Sequence, residues 1–143
     1  MASSNIYKAI AEFQQEVPVI LKETEGYGYQ YADLPKILEV VTPLLKKHGL
    51  GFTQILTNIS GLYEDKLTAL ETVIFHVESG EEIRGSVPIP VVEMKGMNKF
   101  QSMGSGITYF RRYALSSMLG LVTDKDTDGA EKPSKVIDDE LDI

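Results

Sequence analysis

The sequence predicts one α+β domain: a three-stranded antiparallel meander packed by helices. Three observations predict it. Two segments near the start carry apolar residues at helical spacing. The stretch from 50 to 92 then turns to Thr-, Val- and Ile-rich segments separated by two short turns. A third helical segment follows and stops at Gly120. The chain has 143 residues and 43% hydrophobic content, which suits a single domain with a real core. The folded body is placed at residues 1–123, with 124–143 an acidic tail that lacks apolar periodicity and is expected to be disordered.

Each element has its own signal. The first helix begins at a Ser3/Ser4/Asn5 cap and carries Ile6, Ala9, Ile10, Phe13 and Val17, with Pro18 favouring an exit near Glu16 over a short continuation through Leu21. Residues 22–32 read as a loop with a strand-like piece, on which Tyr27, Tyr29 and Tyr31 alternate. Asp33 caps the second helix, and Pro35 lies in its first turn. Leu34, Ile37, Leu38, Val41, Leu44 and Leu45 form its stripe, Pro43 is expected to kink it, and Gly49 ends it. Strands are expected over 50–60, 67–77 and 82–92, with Pro88 and Pro90 restricting the last to an edge or ending it early. Residues 93–101 read as a mobile loop, and the third helix is expected over 102–119.

Composition excludes several function classes. The chain has no cysteine and only two histidines, His48 and His76, so disulfides, thiolate metal sites and cysteine nucleophiles are out. His48 reads as a helix-end cap and His76 as a packed strand residue. No apolar stretch is long enough to span a membrane, and the N-terminus has no signal pattern, so a cytoplasmic, non-membrane protein is expected. The net charge is −7. Residues 124–143 hold eight acids against three bases, net −5, and the body holds thirteen acids against eleven bases, net −2. The acidity that opposes nucleic-acid binding therefore sits mostly in the tail.

One segment of the body concentrates positive charge and aromatic rings: Thr108-Tyr109-Phe110-Arg111-Arg112-Tyr113-Ala114-Leu115. Arginines suit phosphates and tyrosine rings stack on unpaired bases. At about 100° per residue, Met103, Ile107, Phe110, Ala114, Ser117 and Met118 share one face, which is expected to be the core side. Arg112 then falls on the opposite, polar face with Thr108, Tyr109 and Ser116, while Arg111 and Tyr113 lie at the boundary. Gly104, Ser105 and Gly106, at the expected helix start, would admit a close backbone or phosphate. The competing reading is that both arginines form structural ion pairs and both tyrosines pack.

Several stretches together resemble the ERF (essential recombination function) family of phage single-strand DNA annealing proteins. They are Tyr31-Ala32-Asp33-Leu34, Pro43-Leu44-Leu45-Lys46-Lys47-His48-Gly49-Leu50, His76-x-x-Ser79-Gly80-Glu81, the Thr108–Leu115 segment and Asp124-x-Asp126-x-Asp128-Gly129. They occur in order over about residues 5–130. The resemblance implies a β-β-β-α core, and ATP-independent binding and annealing of single-stranded DNA in phage-type recombination. It also implies a homo-oligomeric ring or filament in the bacterial host cytoplasm, with no catalytic residue and no cofactor. Compared with longer members the tail after residue 130 is brief, so a separate C-terminal domain is not expected within these 143 residues, which puts in doubt any activity that depends on one.

On this reading Arg111 and Arg112 bind phosphate and Thr108 assists. Tyr109 or Tyr113 stacks on bases, and Lys95 and Lys99 add contacts. Phe100 reads as an apolar plug between subunits. Asp124, Asp126 and Asp128 copy half of a calcium loop, but Lys135 stands where the bidentate ligand belongs, which leaves a weak divalent-cation site or a plain acidic connector. The tail sequence Asp138-Asp139-Glu140-Leu141-Asp142-Ile143 could recruit a host replication or single-strand-binding protein, or compete with DNA. The alternative function is an acidic interaction or DNA-mimic module that recruits or inhibits a host factor. A nuclease built on the Asp cluster is the third reading and lacks a supporting base.

Overall fold

A computed structural model of the chain describes residues 5–20, 32–59, 67–90 and 95–123. The element order is α1 (Ile6–Glu16), α2 (Leu34–Lys47), β1 (Leu50–Ile59), β2 (Leu67–His76), β3 (Glu82–Pro88) and α3 (Lys99–Leu119). The strands form one antiparallel sheet in the order β1-β2-β3, so the expected α+β meander is present. The tyrosines at 27, 29 and 31 and the acidic tail lie outside the described residues.

The ends of the helices follow from local chemistry. Asn5 caps α1 by accepting the Lys8 N–H at 2.8 Å, and Asp33 caps α2 by accepting the Lys36 N–H at 3.1 Å. α2 continues through Pro43. Proline has no N–H to offer the Glu39 carbonyl, and both residues are exposed, so water can take that bond. α3 begins at Lys99, earlier than the residue pattern predicts. Asn98 and Gln101 form a reciprocal capping box, with bonds of 2.8 and 2.9 Å, that extends the helix into the segment read as a loop. At the other end Gly120 takes a left-handed conformation, φ +71°, and stops α3. Gln14 of α1 reaches across to donate to the Leu119 carbonyl at 3.2 Å.

All three helices pack on one face of the sheet. The register pairs Phe52 with Ile74 and Ile74 with Ile83, and these side chains meet the helices. The core joins Ile6, Ala9 and Phe13 of α1, Ile37, Val41 and Leu45 of α2, and Leu115 and Leu119 of α3. The central strand lies deepest, with Leu70, Thr72, Ile74 and His76 all buried. On the other face Arg84 bridges Glu71 at 3.2 Å and Glu82 at 2.7 Å.

The His76-x-x-Ser79-Gly80-Glu81 stretch is a turn lock. His76 is buried, and its Nδ1 lies 2.7 Å from Ser79 Oγ, which donates to Glu81 Oε1 at 3.0 Å. Gly80 supplies the left-handed corner, φ +77°. Glu81 also accepts the Ile6 N–H at 2.9 Å. α1 has no acid in its own first turn, so this distant carboxylate satisfies one of its orphan donors.

Candidate nucleic-acid interface

α3 carries the basic-aromatic segment, and its rotation decides which of those side chains can meet a ligand. The buried residues of its second half are Arg112, Leu115, Ser116 and Leu119. This corrects the expected phase. The face marked by Met103, Ile107, Phe110 and Ala114 is only half-buried, and the opposite side turns into the helical core. Apolar residues surround this helix, so periodicity alone had two solutions. Contact with α1 and α2 selects the one that buries Leu115 and Leu119.

Arg112 therefore does not stand on the solvent face. It is 9% exposed, and its guanidinium carbon lies 4.3 Å from the centre of the Tyr113 ring. That geometry is a cation–π contact. Ser116, one turn later, is also buried, and its hydroxyl has no hydrogen-bond partner among the described residues.

Arg111 takes the place over the sheet. Its Nε donates to Gln54 Oε1 at 3.2 Å, while Gln54 Nε2 donates to the Arg111 carbonyl at 3.1 Å and to Thr72 Oγ1 at 3.0 Å. Gln54 thus ties β1, β2 and α3 together. The sequence reading missed it. Its signal was a polar residue at a helix-facing position of β1, opposite Thr72 in the register. The two terminal nitrogens of Arg111 carry no bond to another described residue.

The tyrosines form an exposed pair. Tyr109 is 52% and Tyr113 39% exposed, with ring centres 4.7 Å apart. Phe110 meets Tyr109 edge-on at 5.2 Å. Thr108, Lys95 and Lys99 are exposed as well. The structure so brings together Tyr109, Tyr113 and Arg112. Arg111 lies around the helix on Gln54, and among the described residues no contact joins Lys95 or Lys99 to the aromatic pair.

The glycines do not mark a helix start. Gly104 and Gly106 lie inside α3, where N–H groups are used by the helix, so the expected N-terminal anion cradle is absent there. Gly106 instead faces Ile89, 3.7 Å from where a Cβ would stand. Among the described residues no group of three His, Asp or Glu side chains could hold a metal ion, and Asp124, Asp126 and Asp128 lie outside them. No described helix is long and apolar enough to cross a membrane.

Known proteins place the chain in a family. The description "ERF superfamily" matches residues 6–138. The chain belongs to the ERF superfamily. It is also 31% identical over 132 residues to the "Essential recombination function protein" of Salmonella phage P22, a match covering 90% of this chain and 62% of that protein. The chain thus spans about three fifths of the length of the curated relative it matches. No solved structure matches it significantly.

Proposed function

We propose that this protein acts in phage-type recombination by binding single-stranded DNA and annealing complementary strands without ATP, as an assembly of copies. The observation that carries this reading is the exposed Tyr109–Tyr113 pair on α3, braced by the buried Arg112, with Arg111 farther around the same helix, in a chain of the ERF superfamily. A ring pair at 4.7 Å offers a stacking platform indifferent to sequence. Arg112 stiffens that platform from below through its contact with Tyr113. Arg111 is the better phosphate ligand, because its terminal nitrogens are not bound within the described fold. Thr108, Lys95 and Lys99, all exposed, add backbone contacts. Base pairing supplies the free energy of annealing, so no catalytic residue or cofactor is needed. The work is done in the cytoplasm of the host, and the acidic tail is the candidate contact for a host replication or single-strand-binding protein.

The test is direct. Labelled single-stranded DNA is titrated with the full chain at rising salt, and complementary strands are then mixed without nucleotide. Binding that weakens steeply with salt, together with faster annealing, is expected. No binding at low salt would reject the reading and favour the DNA-mimic alternative.

A further inference from the structure

An exposed aromatic knob and an open apolar groove lie on the same helix of this protein. Phe100, in the first turn of α3, is 89% exposed, the most exposed large apolar side chain among the described residues. Met97, just before the cap, is 42% exposed. Farther along, α3 and β3 leave a groove of about 330 Å³ lined by Gly85, Val87, Phe110, Tyr113, Ala114 and Met118, with Ser117 on its rim. Gly85 and Ala114 contribute little side-chain bulk to its lining, and Met118 Sδ lies 3.3 Å from where a Gly85 Cβ would stand. A cavity of about 150 Å³ already accommodates benzene, so the groove has room for a phenyl ring.

We infer that Phe100 of one copy docks in the β3–α3 groove of the next, and that this contact builds the assembly. The inference rests on the multi-copy reading above and says which surfaces make it. Three observations fix the occupant as a second copy. First, Phe100 cannot fill its own groove. It precedes Phe110 by ten residues on one unbroken helix, about 15 Å along the axis. Second, an aromatic ring and an apolar hollow with room for it are both left open among the described residues of one chain, and such pairs are the anchors of interfaces. Third, β3 pairs only with β2 among the described residues, so its outer edge borders the groove and enlarges the area a neighbour can cover. One ring buries roughly 200 Å², and a stable interface needs about 1,200 Å² in total, which Met97 and that edge help to supply. Because knob and hollow are different surfaces, the contact is head-to-tail. Such contacts propagate into a ring or a filament rather than closing on a twofold pair.

The test measures the mass of the full chain without DNA, by sedimentation or light scattering, for wild type, Phe100→Asp, Ser117→Trp and an equal mixture of the two variants. Aspartate is favourable in a first helical turn and Phe100 is almost fully exposed, so the first variant folds. Ser117→Trp fills the groove from its rim. Wild type is expected to form multi-copy species. Each variant alone is expected to associate at least about 30-fold more weakly, the loss expected for an aromatic anchor. The mixture is expected to stop at two chains, since each pair has one intact knob and one intact groove, and their contact uses up both. A monomeric wild type, a Phe100→Asp variant that assembles like wild type, or a mixture that stays monomeric or grows beyond two would each overturn the inference. Single-stranded DNA binding by the same samples is read separately, so that failure of assembly and failure of DNA binding are distinguished. Weaker DNA binding by Ser117→Trp with its assembly intact would mean that the groove takes a base, and would also overturn it.

Discussion

Arg111 and Arg112 are neighbours in sequence with opposite surroundings, and they should fail in opposite ways. Arg111 holds Gln54 with one nitrogen at the surface of the fold. Arg111→Ala is expected to leave stability nearly unchanged, weaken DNA binding, and lower the salt slope by about one unit. Arg112 is buried and stacked on Tyr113. Arg112→Ala removes a packed stem and a cation–π contact, so it should lower stability by roughly 1–3 kcal/mol in chemical denaturation. If Arg112→Ala instead binds poorly while folding as well as wild type, the division of labour is wrong. Ser116 gives the reverse case. Its hydroxyl is buried with no partner among the described residues, and alanine is the better helix former. Ser116→Ala is expected to raise stability by about 1 kcal/mol, seen as a higher melting temperature. The burial of Arg112 and Ser116 could not be read from the residues, because serine and arginine usually mark the wet side of a helix.

The elements divide into those that local chemistry defines and one that packing rotates. α1 and α2 begin at Asn5 and Asp33 as the cap residues predict, and the strands end where prolines and glycine turns place them. α3 differs in its start, where the Asn98/Gln101 box was legible but overlooked, and in its facing. Its facing can be checked by substitution. Leu115→Ala is expected to cost about 2–5 kcal/mol, and Ile107→Ala clearly less, since only Leu115 is fully buried. The seam between α1 and α2 makes a different prediction. Glu16 accepts two bonds from Lys47 Nζ, at 2.9 and 3.0 Å, and lies 3.3 Å from His48 Nε2. The Lys47 bond first, then His48, holds its carboxyl below the ordinary carboxylate range. A carboxyl lowered in the folded state adds stability that is complete above its unfolded value and is lost as pH falls through the folded one. Glu16→Gln should therefore be less stable than wild type at neutral pH, and the gap should close on acidification below the ordinary carboxyl range. A gap that persists in strong acid would show that Glu16 acts through packing instead.

At the scale of the whole molecule, charge and assembly decide behaviour. The tail carries −5 and the body −2, so the tail is the main repulsive field toward a nucleic acid. Removing residues 134–143 is expected to tighten single-stranded DNA binding at low salt, and unchanged affinity would show that the tail does not compete. The sequence by itself determined the α+β class, the order of elements, the strand meander and the family. Each of these depends on local periodicity, caps, turns and short ordered motifs, which are written along the chain. Only the tertiary structure decided the rotation of α3, and with it which arginine is buried, which meets Gln54, and which apolar residues are left as knob and groove. The physical reason is that a helix with apolar residues on every side has no preferred face of its own. Its orientation is settled by Leu115 and Leu119 finding the hollow between α1, α2 and the sheet, a contact between residues far apart in sequence.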